Sequence, residues 1–218
     1  MPKIFENLAT WAQLVGMKAN TVAQVDGIFL ASNRPHQNAI FRQIIEEALS
    51  LIREHDAHRH ARIVQHLQWI CNAYLVPPAD GMFCRGNRAC VINFRRLPGF
   101  DNNLIAAIYA VILVHESTHA VIESRGIPYR DENRARIERL CFAEQNRFAA
   151  RLSAADPMKY PTRILQIKFD ERLYRKKGFS WLSLVASMVE AEPHHAADGS
   201  QPFSSGPTRE PFSAGSHR

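Results

Sequence analysis

The chain reads as a mainly α protein with a small β element, an α+β fold. Three observations point there. Apolar residues recur at helical spacing, for example Ile40, Ile44, Ile45, Ala48, Leu49 and Ile52. One short β-branched run, ACVINFR at 89–95, is the best strand in the sequence. And an apolar segment, 104–114, breaks into a polar knot, HESTH at 115–119, before resuming as AVI.

At 218 residues, with 46% hydrophobic and 22% charged residues, the composition is that of an ordinary globular protein with a sizeable core. The formal charge is +6, but acids interrupt the basic residues throughout, which argues against a nucleic-acid arm. The start, MPKIFENLATWAQLVG, lacks the apolar core of a signal peptide. Leu104–Val114 is about half the length a membrane span requires, so a buried helix is expected. Cys71, Cys84, Cys90 and Cys141 form neither CxxC pairs nor a disulfide framework, which suits reduced thiols in a cytoplasm.

Three regions follow: an N-terminal segment, 1–36; a domain, 37–190; and a tail, 191–218. The domain opens with helical periodicity over 37–75, where a second apolar set, Ile63, Leu67, Ile70 and Cys71, follows the first. HDAHRH between the two sets reads as a turn or a charged face. VPPADG at 76–81 ends the helical stretch. The ACVINFR strand follows, supplying a small edge or sheet, and then LPGFDNN, whose Asp or Asn residues can cap a helix opening at Leu104. That helix is expected to stop near Arg125, before Gly126 and Pro128. Another starts at Asp131-Glu132, acids suited to a first turn, and runs to about Leu152. Residues 163–190 carry one or two more helices. The tail, with four prolines, three glycines and five serines in 28 residues, reads as disordered.

The knot carries the chemistry. His115 and His119 stand one helical turn apart, so both imidazoles leave one face about 6 Å apart at Cβ. Their nitrogens can then meet one ion at the usual Zn–N distance of ~2.0–2.1 Å. Glu116 points about 100° round the helix, placed to take a proton from water without itself being a ligand. Burying a carboxylate and two imidazoles without partners costs on the order of several kcal/mol, and a metal removes that objection. Catalytic zinc usually takes three protein ligands. The following helix offers Glu138, with eighteen residues between it and His119, or Glu144, with twenty-four.

HESTH, eighteen residues and a glutamate on a second helix resemble the gluzincin class of zinc metallopeptidases. EQNRFAARL at 144–152 is similar to the segment after the metal helix in small intracellular gluzincins, some of which cleave repressor-type proteins. The likeness spans residues 111–152. It implies a zincin-like helix pair around one catalytic Zn2+, with His115, His119 and Glu138 as ligands and Glu116 as general base, acting on a peptide or protein substrate. Many gluzincins carry an acid four residues past the third ligand to buttress a histidine. Phe142 stands there in this chain, so that support has to come from elsewhere. Glu144 is the reserve ligand.

Other residues have plainer readings beside chemical ones. Glu123 shares the face of His119 and suits a supporting or surface role. Cys90 is the thiolate that a deformylase-like site would use. Tyr129 can serve an oxyanion or be a turn aromatic, and Glu138 can form an i, i+4 ion pair with Arg134. The arginines at 125, 130, 134, 136, 139, 147 and 151 outnumber Asp131, Glu132, Glu138 and Glu144, which suits either a carboxylate-bearing substrate or a solvated face. His55, His58, His60 and His66 read as a solvated cluster, and His194-His195 as tail residues. A deformylase-like amide hydrolase and a non-catalytic, zinc-stabilised binding protein are the competing functions.

Overall fold

A computed structural model describes residues 16–73, 75 and 80–166. Its centre is a five-stranded sheet built from β1 (Thr21–Val25), β2 (Ile28–Ser32), β3 (Trp69–Asn72), β4 (Gly81–Cys84) and β5 (Ala89–Ile92), in the order β1-β2-β3-β5-β4. The β2–β3 and β3–β5 pairs are parallel, whereas β1 and β4 run antiparallel to their neighbours at the two edges. Asp26 and Gly27 make the β1–β2 turn with φ of +49° and +84°, values that aspartate tolerates and glycine adopts without strain. Both strands lie inside the segment read as N-terminal to the domain, yet they belong to the same sheet. Ile28 and Leu30 are fully buried in the main core.

Between β2 and β3 run α1 (Asn38–His55) and α2 (Ala57–His66). HDAHRH is therefore a break as well as a face. Asp56 ends α1 and caps α2, accepting a hydrogen bond from the Arg59 amide at 3.1 Å. The continuing helical face read from Ile63, Leu67, Ile70 and Cys71 is corrected here. The helix stops at His66, Leu67 turns extended, and Trp69–Asn72 becomes an interior strand with parallel neighbours on both sides. Its alternation sends Ile70 to the helix-covered core and Trp69 and Cys71 to the opposite sheet face, where Phe29 stacks on Trp69. Four residues are too few for periodicity to separate the two states, and the ladder decides.

ACVINFR does form a strand, β5, but not the edge. β4 takes that place and β5 lies between β3 and β4. Sequence reading missed β1, β2 and β4 as strands.

Behind the sheet lies α3 (Asn102–Ser124), capped by the Asp101 carboxylate on the Leu104 amide at 2.8 Å. It is long and apolar enough to cross a membrane by length and composition, but 18 of its 23 residues are buried inside the fold. α4 (Asp131–Ala155) packs along it, reached through Gly126 at φ +75°. Of the helices expected over 163–190, only α5 (Thr162–Leu165) falls within the described residues, and the 191–218 tail lies outside them.

A charged clamp ties α2 to α4. Buried Asp56 pairs with Arg59 and, at 2.6 Å, with Arg151; Arg59 also reaches Glu144 at 2.8 Å, and Glu144 holds Arg62 and Arg147. Burial pushes the Asp56 carboxyl up, but the Arg59 amide and the two guanidiniums outweigh it and leave its pKa below the ordinary value.

Breaking this clamp strands a buried guanidinium and removes a helix cap. Asp56→Ala should therefore lose about 3–5 kcal/mol in chemical denaturation. Because the folded pKa is depressed, the stability linked to Asp56 is present above the unfolded value near 3.8 and drains away as pH falls through the folded one. The gap in melting temperature between wild type and Asp56→Asn should accordingly close on acidification, and a constant gap would contradict this account.

Candidate metal centre

The polar knot sits in the inner half of α3, packed against α4 and β4. Its hydroxyls are satisfied within the helix, since Ser117 and Thr118 both donate to the Val114 carbonyl, at 3.1 and 2.7 Å. His115 and His119 face each other with their Nε2 atoms 3.3 Å apart. From α4, Glu138 brings Oε2 to 3.3 Å from His115 Nε2 and Oε1 to 3.6 Å from His119 Nε2. Donors ~2.0–2.1 Å from one tetrahedral ion stand ~3.3–3.4 Å from one another. The three side chains match that spacing closely.

Their electrostatics point the same way. Burial disfavours charge on His115, but Glu138 and Glu116 together raise its pKa. Burial and the neighbouring His115 press His119 down to about 4. Burial also opposes ionisation of Glu138, and the hydrogen bond from His115 with the imidazole charges outweighs it, holding the carboxyl well below its usual range. One shared proton cannot satisfy both imidazoles and the carboxylate. A divalent cation can, and two imidazoles with a carboxylate are a donor set that Zn2+ accepts.

A fourth donor is close. Cys141, fully buried, lies with its Sγ inside a group formed with His115 and His119 whose ligand atoms are all within 4.8 Å of one another. Two donor triplets therefore compete, one completed by Glu138 and one by Cys141. The Glu138 oxygens stand 3.3 and 3.6 Å from the two imidazole nitrogens, near ligand spacing. Burial and then the Glu138 and Glu116 carboxylates push the Cys141 thiol pKa strongly upward. Cys90, the thiol weighed from sequence, is buried on β5 and lies outside this group.

The other candidates separate cleanly. Glu144 is spent on the arginine clamp. Glu123 pairs with Arg85 at 3.0 Å, which is the surface role. Glu138 does not pair with Arg134; the Tyr129 hydroxyl takes that side of the carboxylate, donating to Oε1 at 2.5 Å while its ring stands edge-on to His119. Tyr129 thus belongs to the site and not merely to the turn.

Support for the histidines comes from Gln145, which sequence reading did not single out. Its Oε1 is 2.9 Å from His115 Nδ1. With the amide in that orientation Nδ1 carries a proton, which leaves Nε2 as the nitrogen that can either donate to Glu138 or give its lone pair to an ion. Phe142 packs edge-on to the same ring at 4.6 Å. Glu138, Phe142 and Gln145 are spaced i, i+4, i+7, one helical face, and that spacing is the signal that could have found Gln145.

Glu116 lies beside the donors, 7% exposed, on the β4 side. A Cβ added at Gly81 would stand 2.8 Å from its Oε1 and 3.0 Å from its Cγ, so the strand backbone rests directly on the carboxylate. Burial raises its pKa to about 7, with Glu138 and Asp80 adding to the rise and His115 and the Phe83 amide opposing it. Gly81 carries no sequence signal beyond its place in a break.

No family model, curated protein or solved structure matches the chain.

If these residues form the centre, His115→Ala, His119→Ala and Glu138→Ala should each lower zinc affinity by about a hundredfold or more in chelator competition. Gln145→Ala should lower it about tenfold, and Glu144→Ala should leave it unchanged. Zinc loss with Glu144→Ala and not with Glu138→Ala would reverse the ligand assignment.

Proposed function

We propose that the protein is a zinc-dependent hydrolase, a metallopeptidase of the gluzincin type acting on a peptide or protein substrate. The zincin-like helix pair is α3 with α4. His115, His119 and Glu138 would hold the ion, and Glu116 is the general base. The observation that carries this reading is the position of Glu116: buried beside the three donors and outside their set. A carboxylate placed there can take a proton from water without being a ligand itself.

Zinc in such a site polarises a carbonyl and acidifies water. Glu116 accepts the proton from the attacking water and delivers it to the departing amine. The Phe83 amide steadies its carboxylate, and Gly81 lets the strand pass close enough for that contact. β4 is an edge of the sheet among the described strands, so an extended substrate can add to it through main-chain hydrogen bonds. The Tyr129 hydroxyl gives its one proton to Glu138, so it would serve a developing oxyanion only on leaving that carboxylate. The reading includes a cytoplasmic setting, which four free thiols suit.

One observation favours a different function. Cys141 beside the histidines would, together with Glu138, close the site with four protein ligands, as in structural zinc centres. The protein would then be a zinc-stabilised binding protein.

Two substitutions separate the readings. Glu116→Gln should keep full zinc content and lower peptide hydrolysis by about 10²–10⁴-fold. Cys141→Ser should keep both zinc and hydrolysis, and loss of zinc there would favour the closed site. Gly81→Ala should retain zinc but depress hydrolysis by about tenfold or more, since the added methyl displaces the base. Full turnover by either Glu116→Gln or Gly81→Ala would overturn the role given to Glu116.

A further inference from the structure

Arg134 occupies the position from which a helical i, i+4 pair with Glu138 would form, yet among the described residues it makes no ion pair. Glu138 is turned toward the two imidazoles and the Tyr129 hydroxyl instead. The Arg134 guanidinium lies over the Tyr129 ring, 5.9 Å from its centroid. Its Nε is shielded from solvent and has no partner. Tyr129 itself is 40% exposed, so this flank of the site meets solvent.

The position has a chemical meaning. A guanidinium presents a planar fork that matches a carboxylate with two parallel hydrogen bonds. Here the fork is oriented by an aromatic ring and stands one hydroxyl away from a carboxylate proposed to hold zinc. The acids nearest in sequence, Asp131 and Glu132, are exposed on the first turn of α4 and do not pair with it. The local charge is left open for a ligand to complete.

We infer that Arg134 is a specificity-determining residue, and that the substrate carries a carboxylate next to the scissile amide. This rests on the metallopeptidase reading and narrows it from peptides in general to acidic ones. Tyr129 is the positioning residue of the pair. It holds Glu138 Oε1 on one side and the guanidinium on the other, so substrate carboxylate and scissile carbonyl arrive at fixed separation. The carboxylate comes either from an acidic side chain or from a chain terminus, and both present the same chemistry to the fork.

The test uses hydroxamates, which grip the metal, in two matched pairs on the zinc-loaded full-length protein. One pair is N-acetyl-aspartyl hydroxamate against its asparaginyl counterpart, for a side-chain carboxylate. The other is the monohydroxamate of malonyl-alanine as free acid against its amide, for a terminal one. Calorimetry should show the acid of at least one pair binding about tenfold tighter than its neutral partner, and the pair that does so identifies the source. That preference should shrink to about twofold or less in Arg134→Gln and be partly kept in Arg134→Lys. The neutral hydroxamates should bind wild type and both variants alike, which also shows that the variants are folded. Equal binding of acid and neutral forms to wild type, or a preference surviving Arg134→Gln, overturns the inference and leaves the metal centre standing. Failure of every hydroxamate to bind the zinc-loaded wild type overturns the open metal centre itself.

Discussion

Glu138 reaches from one helix to two imidazoles on another, and much of the surrounding structure is arranged to make that contact possible. A carboxylate and two histidines inside an apolar helix pair are unstable unless each satisfies the others. Glu138 Oε2 stands 3.3 Å from His115, Gln145 Oε1 takes the other nitrogen of that imidazole, and the Tyr129 hydroxyl donates to Glu138 Oε1. The apolar residues that flank HESTH keep water out, and so strengthen the attraction among the polar ones. The same burial raises the pKa of Glu116. One environment thus shapes both the donors proposed to hold the ion and the proposed base.

The helices were legible in the sequence because periodicity is a local property. α4 opens at Asp131-Glu132 as expected. α3 opens at Asn102, two residues before the expected Leu104, with Asp101 as the cap among the Asp and Asn residues on offer. His115, His119 and Glu138 converge because spacing within a helix, and between two antiparallel helices, fixes which faces meet. The sheet was harder to read. β3 is four residues long, and its identity depends on β2 and β5, which are distant in sequence. β4 was hidden for a related reason, since GMFC has the composition of a strand only once its partner is known. Gln145 escaped notice as a neutral residue on a helix crowded with charge.

The arginines of α4 illustrate how sequence composition hides division of labour. Read together they suggest a single basic face. In the fold they split. Arg147 and Arg151 join Glu144 and Asp56 in the clamp that fixes α4 against α2, while Arg134 lies at the other end beside Tyr129. An exposed pair contributes little to stability, but this network is anchored in a buried aspartate and ties the C-terminal half of α4 to α2.

The contact between Gly81 and Glu116 makes the sheet register a chemical variable. β4 pairs with β5 so that Gly81 faces Ile92 and Met82 faces Val91. A slip of one residue reverses which side chains point to each face. It would put a bulky residue where the glycine now passes and push the carboxylate away from its neighbours. The hairpin therefore fixes how closely the backbone rests on Glu116. β4 is also an edge among the described strands, so a chain added to that edge would lie along the same strand that touches the carboxylate.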